Sequence, residues 1–398
     1  MISSKKQDEL DALAVMMEEI SPELAKEFIL RGAAEQVIRS VEEHDITGAI
    51  GYMNEGIART RTSVDGINSM LKPIPLKTIR EQLSQAPEGV PLPFCPDLSL
   101  EAGAITVLVG SSGHGKTTLA LNLAVYLARL EKKVYYLSYE ESAPSLTTKV
   151  ISAIYGKELA ANNARSIRSY LTGTEEYIRE AHLDDFKKAV AEYEEMIIDE
   201  RLIIRDEALP EYALESFLRA AKSRGADAVF IDYIQLVNME RPGRSRQEEI
   251  KNLMGMLNRV AKETGLIIVT AAQFNRTVSN PMKMNMRAVS EGSDIEKTAN
   301  LILGLWNTDK KIPPSEQKDM GDDWKDVNDG HYCAPGYAYM KILKSREAPE
   351  GDFMVPFNGN ARKINIERGE NPKEIAKLNI ENPVKKMSDK NQNLRSGF

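Results

Sequence analysis

The feature that most constrains this chain is the octapeptide Gly110-Ser111-Ser112-Gly113-His114-Gly115-Lys116-Thr117. It follows the apolar run ITVLV and opens the helical stretch TLALNLAVYLARL. A glycine-rich turn leading from a strand into a helix is a cradle for phosphate. The glycines let backbone N–H groups curl around an anion, and the helix N-terminus adds the positive end of its dipole. In such a cradle Lys116 reaches the β- and γ-phosphates and the Thr117 hydroxyl ligates Mg²⁺. The expected nucleotide-binding residues are Gly110, Ser111, Ser112, Gly113, His114, Gly115, Lys116, Thr117 and Thr118, with His114 a tolerated loop residue of no particular role.

A cradle of this kind needs a carboxylate for the metal. AVFIDYIQL places Asp232 at the end of an apolar strand, where an acid can hold Mg²⁺ through water. Alone it would read equally well as a strand-terminal loop cap. The next residue is Tyr233 rather than a second acid, so a base for the attacking water must come from elsewhere. Glu140, at the end of VYYLSYE, is the first choice, because the ends of parallel strands gather on one edge of a sheet. Glu141 is the fallback, and either could be a solvated acid.

The surroundings fit an α/β protein. Short apolar runs at 105–110, 133–140, 201–206, 228–236, 266–273, 300–306 and 338–345 alternate with helical segments. This is the pattern of βαβ units around a mostly parallel sheet flanked by helices. Residues 1–66 read as an all-helical region, with Ser21-Pro22-Glu23 a helix start and Asp45 a cap for a further helix toward Arg61. Six prolines between 73 and 96 mark 67–97 as a linker, and 368–398 reads as a flexible polar tail. Cys95 and Cys333 lie far apart without a CxxC pair, which argues against a disulfide framework and a cysteine zinc site. The N-terminus carries no apolar signal segment and no run is long enough to span a bilayer, so a cytoplasmic location is expected. A net charge of −7 argues against coating nucleic acid with the whole surface but leaves room for a local basic channel.

Taken together, residues 98–367 resemble the RecA-like ATPase domain of DnaB-type replicative helicases (superfamily 4), in a divergent form of phage or mobile-element type. The resemblance rests on five segments in order: GSSGHGKT (110–117), Ser138-Tyr139-Glu140, Ile231-Asp232-Tyr233-Ile234-Gln235-Leu236, Ala272-Gln273-Phe274-Asn275-Arg276, and Lys344-Ser345-Arg346. It implies ATP with Mg²⁺, a homohexameric ring, and 5′-to-3′ movement on single-stranded DNA during replication. It also implies roles. Gln273 would be the polar sensor between the γ-phosphate and the DNA-binding loops. Arg346 would be an arginine finger offered to a neighbouring subunit's ATP, with Lys344 beside it. Without the other segments, Lys344 and Arg346 would read as exposed strand charges on one face.

In this family the loops after the metal-aspartate strand and the sensor strand line a central pore. Here those loops carry Arg241, Arg244 and Arg246, and Arg276, Lys283 and Arg287. Basic loops of this kind track a phosphate backbone without reading sequence. Solvated loop charges are the plainer alternative. Familiar members have a larger N-terminal collar that binds primase; about 65 residues precede the linker here, so a primase or loader partner stays open. The acidic stretch 307–337 is expected to be an exposed insertion, and Ser290 stands where an Arg is common. Two other readings share the same cradle: a RecA-like recombination ATPase that forms filaments on DNA, and a nucleotide-gated loader or regulator with slow turnover.

Overall fold

The structure, a computed structural model, describes residues 22–42, 73–85, 88–159, 163–174, 178–238, 245–317, 330–346, 350–367 and 369–375 except 373, with a few residues between 45 and 56. The chain divides into two units, Met1–Ala86 and Pro87–Phe398. In the first, α1 (Pro22–Glu42) begins at the expected proline and α2 spans Leu76–Gln85. Asp45 Oδ1 accepts a 2.9 Å bond from the Gly48 backbone N–H, the bond of an N-cap three residues upstream. The helix expected from there toward Arg61 falls mostly outside the described residues.

The second unit is built on a nine-stranded sheet. In chain order its elements are β1 (Val90–Leu92), β2 (Cys95–Leu100), β3 (Ile105–Gly110), α3 (Lys116–Arg129), β4 (Val134–Ser138), α4 (Ala143–Tyr155), α5 (Asn163–Leu171) and α6 (Glu180–Ile198). There follow β5 (Leu202–Arg205), α7 (Glu211–Ser223), β6 (Ala228–Asp232), α8 (Arg246–Thr264), β7 (Ile267–Ala272), α9 (Gly292–Thr298), β8 (Leu301–Asn307), β9 (Tyr337–Ser345), β10 (Asp352–Asn358) and β11 (Lys363–Ile364). The sheet order is β11-β10-β9-β8-β3-β7-β6-β4-β5. Strands β8, β3, β7, β6, β4 and β5 are parallel, and β9, β10 and β11 extend one edge antiparallel.

The continuous apolar runs are explained by burial on both faces. Leu108, Tyr136, Phe230 and Val269 join one core with α3, α4 and α6, while Val107, Val109, Leu137, Ile231 and Ile268 join the other with α7 and α8. The helices cover the faces, so the polar backbone ends of the strands are left for chemistry at the carboxyl edge.

Part of the stretch read as linker is not a tether. β1 and β2 pair antiparallel, and Leu92, Phe94, Leu98 and Leu100 are buried in the core. Proline is tolerated there because the hairpin lies outside the main sheet. The expectation of an exposed insertion at 307–337 is likewise corrected over its described ends. Thr308 is fully buried and donates to the Tyr337 carbonyl at 2.9 Å, the Ile312 N–H donates to the Gly330 carbonyl at 2.8 Å, and Ile312, Tyr332, Cys333 and Ala334 are buried. Residues 309–311 and 313–315 are nonetheless exposed, so the described ends are anchored at Thr308, Ile312 and 332–334 rather than buried throughout. At the start of the polar tail, Glu370 exchanges backbone bonds with Met354 at 2.7 and 2.8 Å, and Ile375 is buried. Among the described residues no helix is long and apolar enough to cross a membrane.

Candidate nucleotide site

The cradle forms where β3 passes into α3. Gly110 ends the strand against β8; a Cβ there would stand 3.1 Å from the Leu305 carbonyl oxygen, so a side chain would push the two backbones apart by a few tenths of an ångström. Gly115, the residue before α3, has φ +94°, a conformation an L side chain resists. Ser112 and Gly113 are exposed at the tip, Ser111 and Thr117 are half-buried, and Thr118 is buried in the first turn of α3.

Lys116 is a buried cation. Its Nζ donates to the Gly110 carbonyl at 2.8 Å and the Ser111 carbonyl at 3.2 Å, folding back onto its own loop. Among the described residues it has no ion pair within 4 Å. Burial pushes the ammonium pKa down, opposed by the charges of Asp232 and Glu140. A buried ammonium held by carbonyl dipoles, beside a glycine-rich loop at a helix N-terminus, is a site suited to an anion.

Asp232 lies opposite, at the end of β6, and is buried. Burial raises its carboxyl pKa, while hydrogen bonds from Tyr136 and Thr117 and the nearby Lys116 charge work the other way. The Tyr136 hydroxyl donates to Oδ2 at 2.8 Å. A carboxylate and a threonine hydroxyl in contact, both oxygen donors, suit a hard cation such as Mg²⁺.

The two acids after β4 differ. Glu141 is occupied: it pairs with Lys149, and Ser145 Oγ donates to it at 3.0 Å. Glu140 is exposed, and among the described residues it has neither an ion pair nor a side-chain hydrogen bond. Gln273 follows β7 half-buried, and its carbonyl accepts from the Ser290 N–H at 3.0 Å.

His114 is not the incidental loop residue the sequence suggests. It is buried, its Nδ1 accepts from the Asn307 N–H at 3.2 Å, and its ring lies 4.3 Å from that of Trp306. Burial drives its pKa down to about 4, with Lys310 and then Lys116 adding in the same direction. The imidazole is therefore a neutral acceptor that fastens the cradle to the end of β8. Tyr136 is a further site residue that sequence reasoning misses. The available signal is its parity with Asp232 on neighbouring parallel strands.

The remaining candidates are distributed over the unit. Lys344 Nζ donates to the carbonyls of Ala299, at 2.7 Å, and Glu296, at the C-terminus of α9. Burial and the nearby Arg346 charge lower its pKa. Arg346 is exposed just beyond β9. On β8, Leu305 pairs with Gly110 but Leu301 pairs with Ser345. At about 3.3 Å per residue, Arg346 stands roughly 13 Å or more along the sheet from its own cradle.

Of the six basic loop residues, Arg241 and Arg244 lie outside the described residues. Arg246 is half-buried and donates to Glu249 and to the Gln235 carbonyl. Lys283 pairs with Glu316, which itself accepts from Asn280 at 3.2 Å. Arg276 and Arg287 are exposed on the excursion 275–288, closed at its base by the Asn275 N–H to Ala288 carbonyl bond of 2.8 Å.

A glycine cradle at the carboxyl edge of this mostly parallel sheet, facing a buried strand-end aspartate, defines the class: a RecA-like P-loop nucleotide-binding protein. Residues 99–365 match the family model of the DnaB-like helicase C-terminal domain, and the chain belongs to that family. Among curated relatives, the replicative DNA helicase DnaB of Rickettsia typhi is 26% identical over 286 residues, covering 66% of this chain and 53% of the relative. A probable plasmid replicative DNA helicase of Chlamydia trachomatis is 27% identical over 214 residues, covering 51% of this chain and 43% of the relative. The chain thus spans about half the length of the curated relatives it matches. Among solved structures, a DnaB-like replicative helicase studied with primase superimposes with a TM-score of 0.61 at 18% identity, covering 86% of this chain and 76% of that one. A separately solved ATPase domain gives 0.56 at 19% identity, covering 73% of this chain and 96% of that one. These two share the fold.

Proposed function

We propose that this protein is an ATP-dependent replicative DNA helicase whose subunits assemble, as a hexameric ring, around single-stranded DNA and complete each other's ATP sites. The observation that carries the reading is the division of charge across the sheet. Lys116, Thr117, Asp232 and Glu140 gather at one edge, while the exposed Arg346 stands toward the other, out of reach of its own cradle. A neighbour is the natural recipient of that arginine.

In this reading the backbone donors of 110–118 and Lys116 hold the phosphates of ATP. Thr117 and Asp232 hold Mg²⁺, which neutralises phosphate charge when bound. Glu140, exposed just after β4, accepts a proton from the water that attacks the γ-phosphorus as the bond to the bridging oxygen breaks. Arg346 of one subunit stabilises the charge on the transferring phosphoryl group in the next, and Lys344, anchored on α9, steadies the strand end that carries it. Gln273 links loss of the γ-phosphate to the excursion 275–288. Arg276 and Arg287 on that excursion contact the DNA backbone, joined by Arg241 and Arg244. Arg246 and Lys283 act after release from their present partners. The division of the chain into a helical N-terminal region, a linker that ends before β1, and the ATPase domain belongs to the same proposal. A primase or loader would be received by the N-terminal region.

ATPase assays with and without single-stranded DNA, run beside imaging of the ATP-bound assembly, test this. The expected result is DNA-stimulated hydrolysis by closed rings. Arg346→Ala is expected to bind ATP normally and to lose about 10³-fold in turnover, the scale of a missing arginine finger. Normal turnover by Arg346→Ala would remove the shared pocket. Filaments in place of rings would favour the recombination reading, and negligible turnover even with DNA the regulatory one.

A further inference from the structure

Strand β4 carries a tyrosine where packing alone asks only for a phenyl ring. Tyr136 is wholly buried at the middle of β4, which lies between β6 and the edge strand β5. Its ring stacks on Phe230, its register partner on β6, with centroids 5.8 Å apart and planes 11° from parallel. Phenylalanine would satisfy that stack. The hydroxyl is the additional element, and a buried hydroxyl without a partner is costly. Its partner is the site aspartate: Ser138, two residues on from Tyr136, pairs with Asp232, so side chains of the two strands point to the same face. One two-residue step along the sheet, about 6.6 Å, is spanned by the length of the tyrosine, and the O–H meets Asp232 Oδ2 at 2.8 Å.

We propose that Tyr136 is a positioning residue for the metal-binding carboxylate. This rests on the reading of Thr117 and Asp232 as the Mg²⁺ site. An aspartate at a strand end turns about its terminal torsion, which is broad and roughly two-fold. Holding Oδ2 fixes the carboxylate plane and leaves it turned to the Thr117 hydroxyl, where the cation is shared. Tyr136 never touches the nucleotide. It sets the affinity of the nucleotide-bound site for the divalent ion, as outer partners of metal ligands commonly do.

The test uses the full chain with Tyr136→Phe, which keeps the stack on Phe230 and removes one oxygen. Mn²⁺ is the probe, titrated by electron paramagnetic resonance into the protein–ADP complex, and ADP affinity is measured separately in EDTA. The expected result is an Mn²⁺ dissociation constant raised about 10-fold, with ADP affinity in EDTA within twofold of the original. Asp232→Asn supplies the reference. In that background Tyr136→Phe is expected to add nothing, and the double variant removes both partners together, so no charged acceptor is left orphaned in the core. If Asp232→Asn weakens Mn²⁺ binding while Tyr136→Phe does not, or if Tyr136→Phe costs as much in the Asp232→Asn background as alone, the positioning role is overturned. If Asp232→Asn itself leaves Mn²⁺ affinity untouched, the assignment of the metal site falls, and the proposal with it.

Discussion

At the scale of single residues, His114 shows how a loop side chain can become structural. Its Nδ1 takes the Asn307 N–H, and its burial against Trp306 holds the imidazole neutral, with a pKa of about 4 against an ordinary 6.5. The folded state therefore binds fewer protons than the unfolded state between those two values. Stability is full above pH 6.5, declines as the pH falls through that window, and stops declining from this cause below about 4. The slope approaches roughly 1.4 kcal/mol per pH unit at its steepest. His114→Asn places an amide oxygen near the position of Nδ1 and cannot be protonated in this range. Denaturant unfolding at a series of pH values is expected to show a flatter acid limb in that variant. An unchanged acid limb would mean that His114 is not the group responsible. The sequence alone does not show this. A histidine between two glycines of a phosphate loop looks dispensable until β8, nearly two hundred residues away, is laid beside it.

At the scale of elements, the excursion 275–288 leaves the sheet after Gln273 and returns at Ser290. Its base is closed by the Asn275–Ala288 bond and by the Phe274–Val289 bridge. Asn280 and Asn285 each cap a short turn within it, so its shape is built by side-chain caps rather than by apolar burial alone. Arg276 and Arg287 sit exposed near its two ends, while Lys283 is held by Glu316. If the exposed pair meets the DNA backbone, Arg276→Ala and Arg287→Ala should each weaken single-stranded DNA binding at low salt. Each should also reduce the log–log salt slope by about 0.7, whereas Lys283→Ala should change it less. Fluorescence anisotropy over a salt series measures all three, and equal slopes throughout would detach this loop from DNA. Elements of this unit are legible in the sequence to different degrees for a physical reason. Five of the parallel strands stand out as apolar runs because both their faces are buried, β5 and β9 do so through their buried apolar portions, and β3 is located to the residue. β1 and β2 read as linker because Pro91, Pro93 and Pro96 dominate their composition. β10 does carry buried apolar residues, Phe353, Met354, Val355 and Phe357, but Pro356 interrupts the run, a placement tolerated toward the sheet edge; the two-residue β11 is too short to leave a mark. The cradle and Asp232 are legible because their chemistry is local in sequence. The commitments of Lys344 and Lys283 are not, since each depends on a partner more than thirty residues away that only the folded chain brings near.

At the scale of the whole molecule, the separation between Lys116 and Arg346 makes a quantitative prediction about assemblies. If every pocket takes its lysine from one subunit and its arginine from the next, Lys116→Ala and Arg346→Ala are each inactive alone but complementary when mixed. In a randomly assembled ring made from equal amounts, a pocket works only when an Arg346→Ala chain holds the nucleotide and a Lys116→Ala chain stands beside it. That arrangement occurs in about one quarter of pockets. Recovered activity close to that fraction, measured after dissociation and joint reassembly, would mean that each pocket depends on one neighbour and fires independently. A recovery far below it, with mixed rings verified by mass, would mean that hydrolysis is coordinated around the ring, so that one broken pocket stalls others. No recovery at all, in mixed rings that also stay inactive when wild-type subunits fill all pockets but one, would mean full coordination, whereas undiminished turnover by Arg346→Ala alone would place Arg346 outside the neighbour's site. If the pocket is shared in this way, specific activity falls on dilution once the assembly dissociates, because a lone subunit would keep its cradle and its metal residues yet lack the cation that completes them.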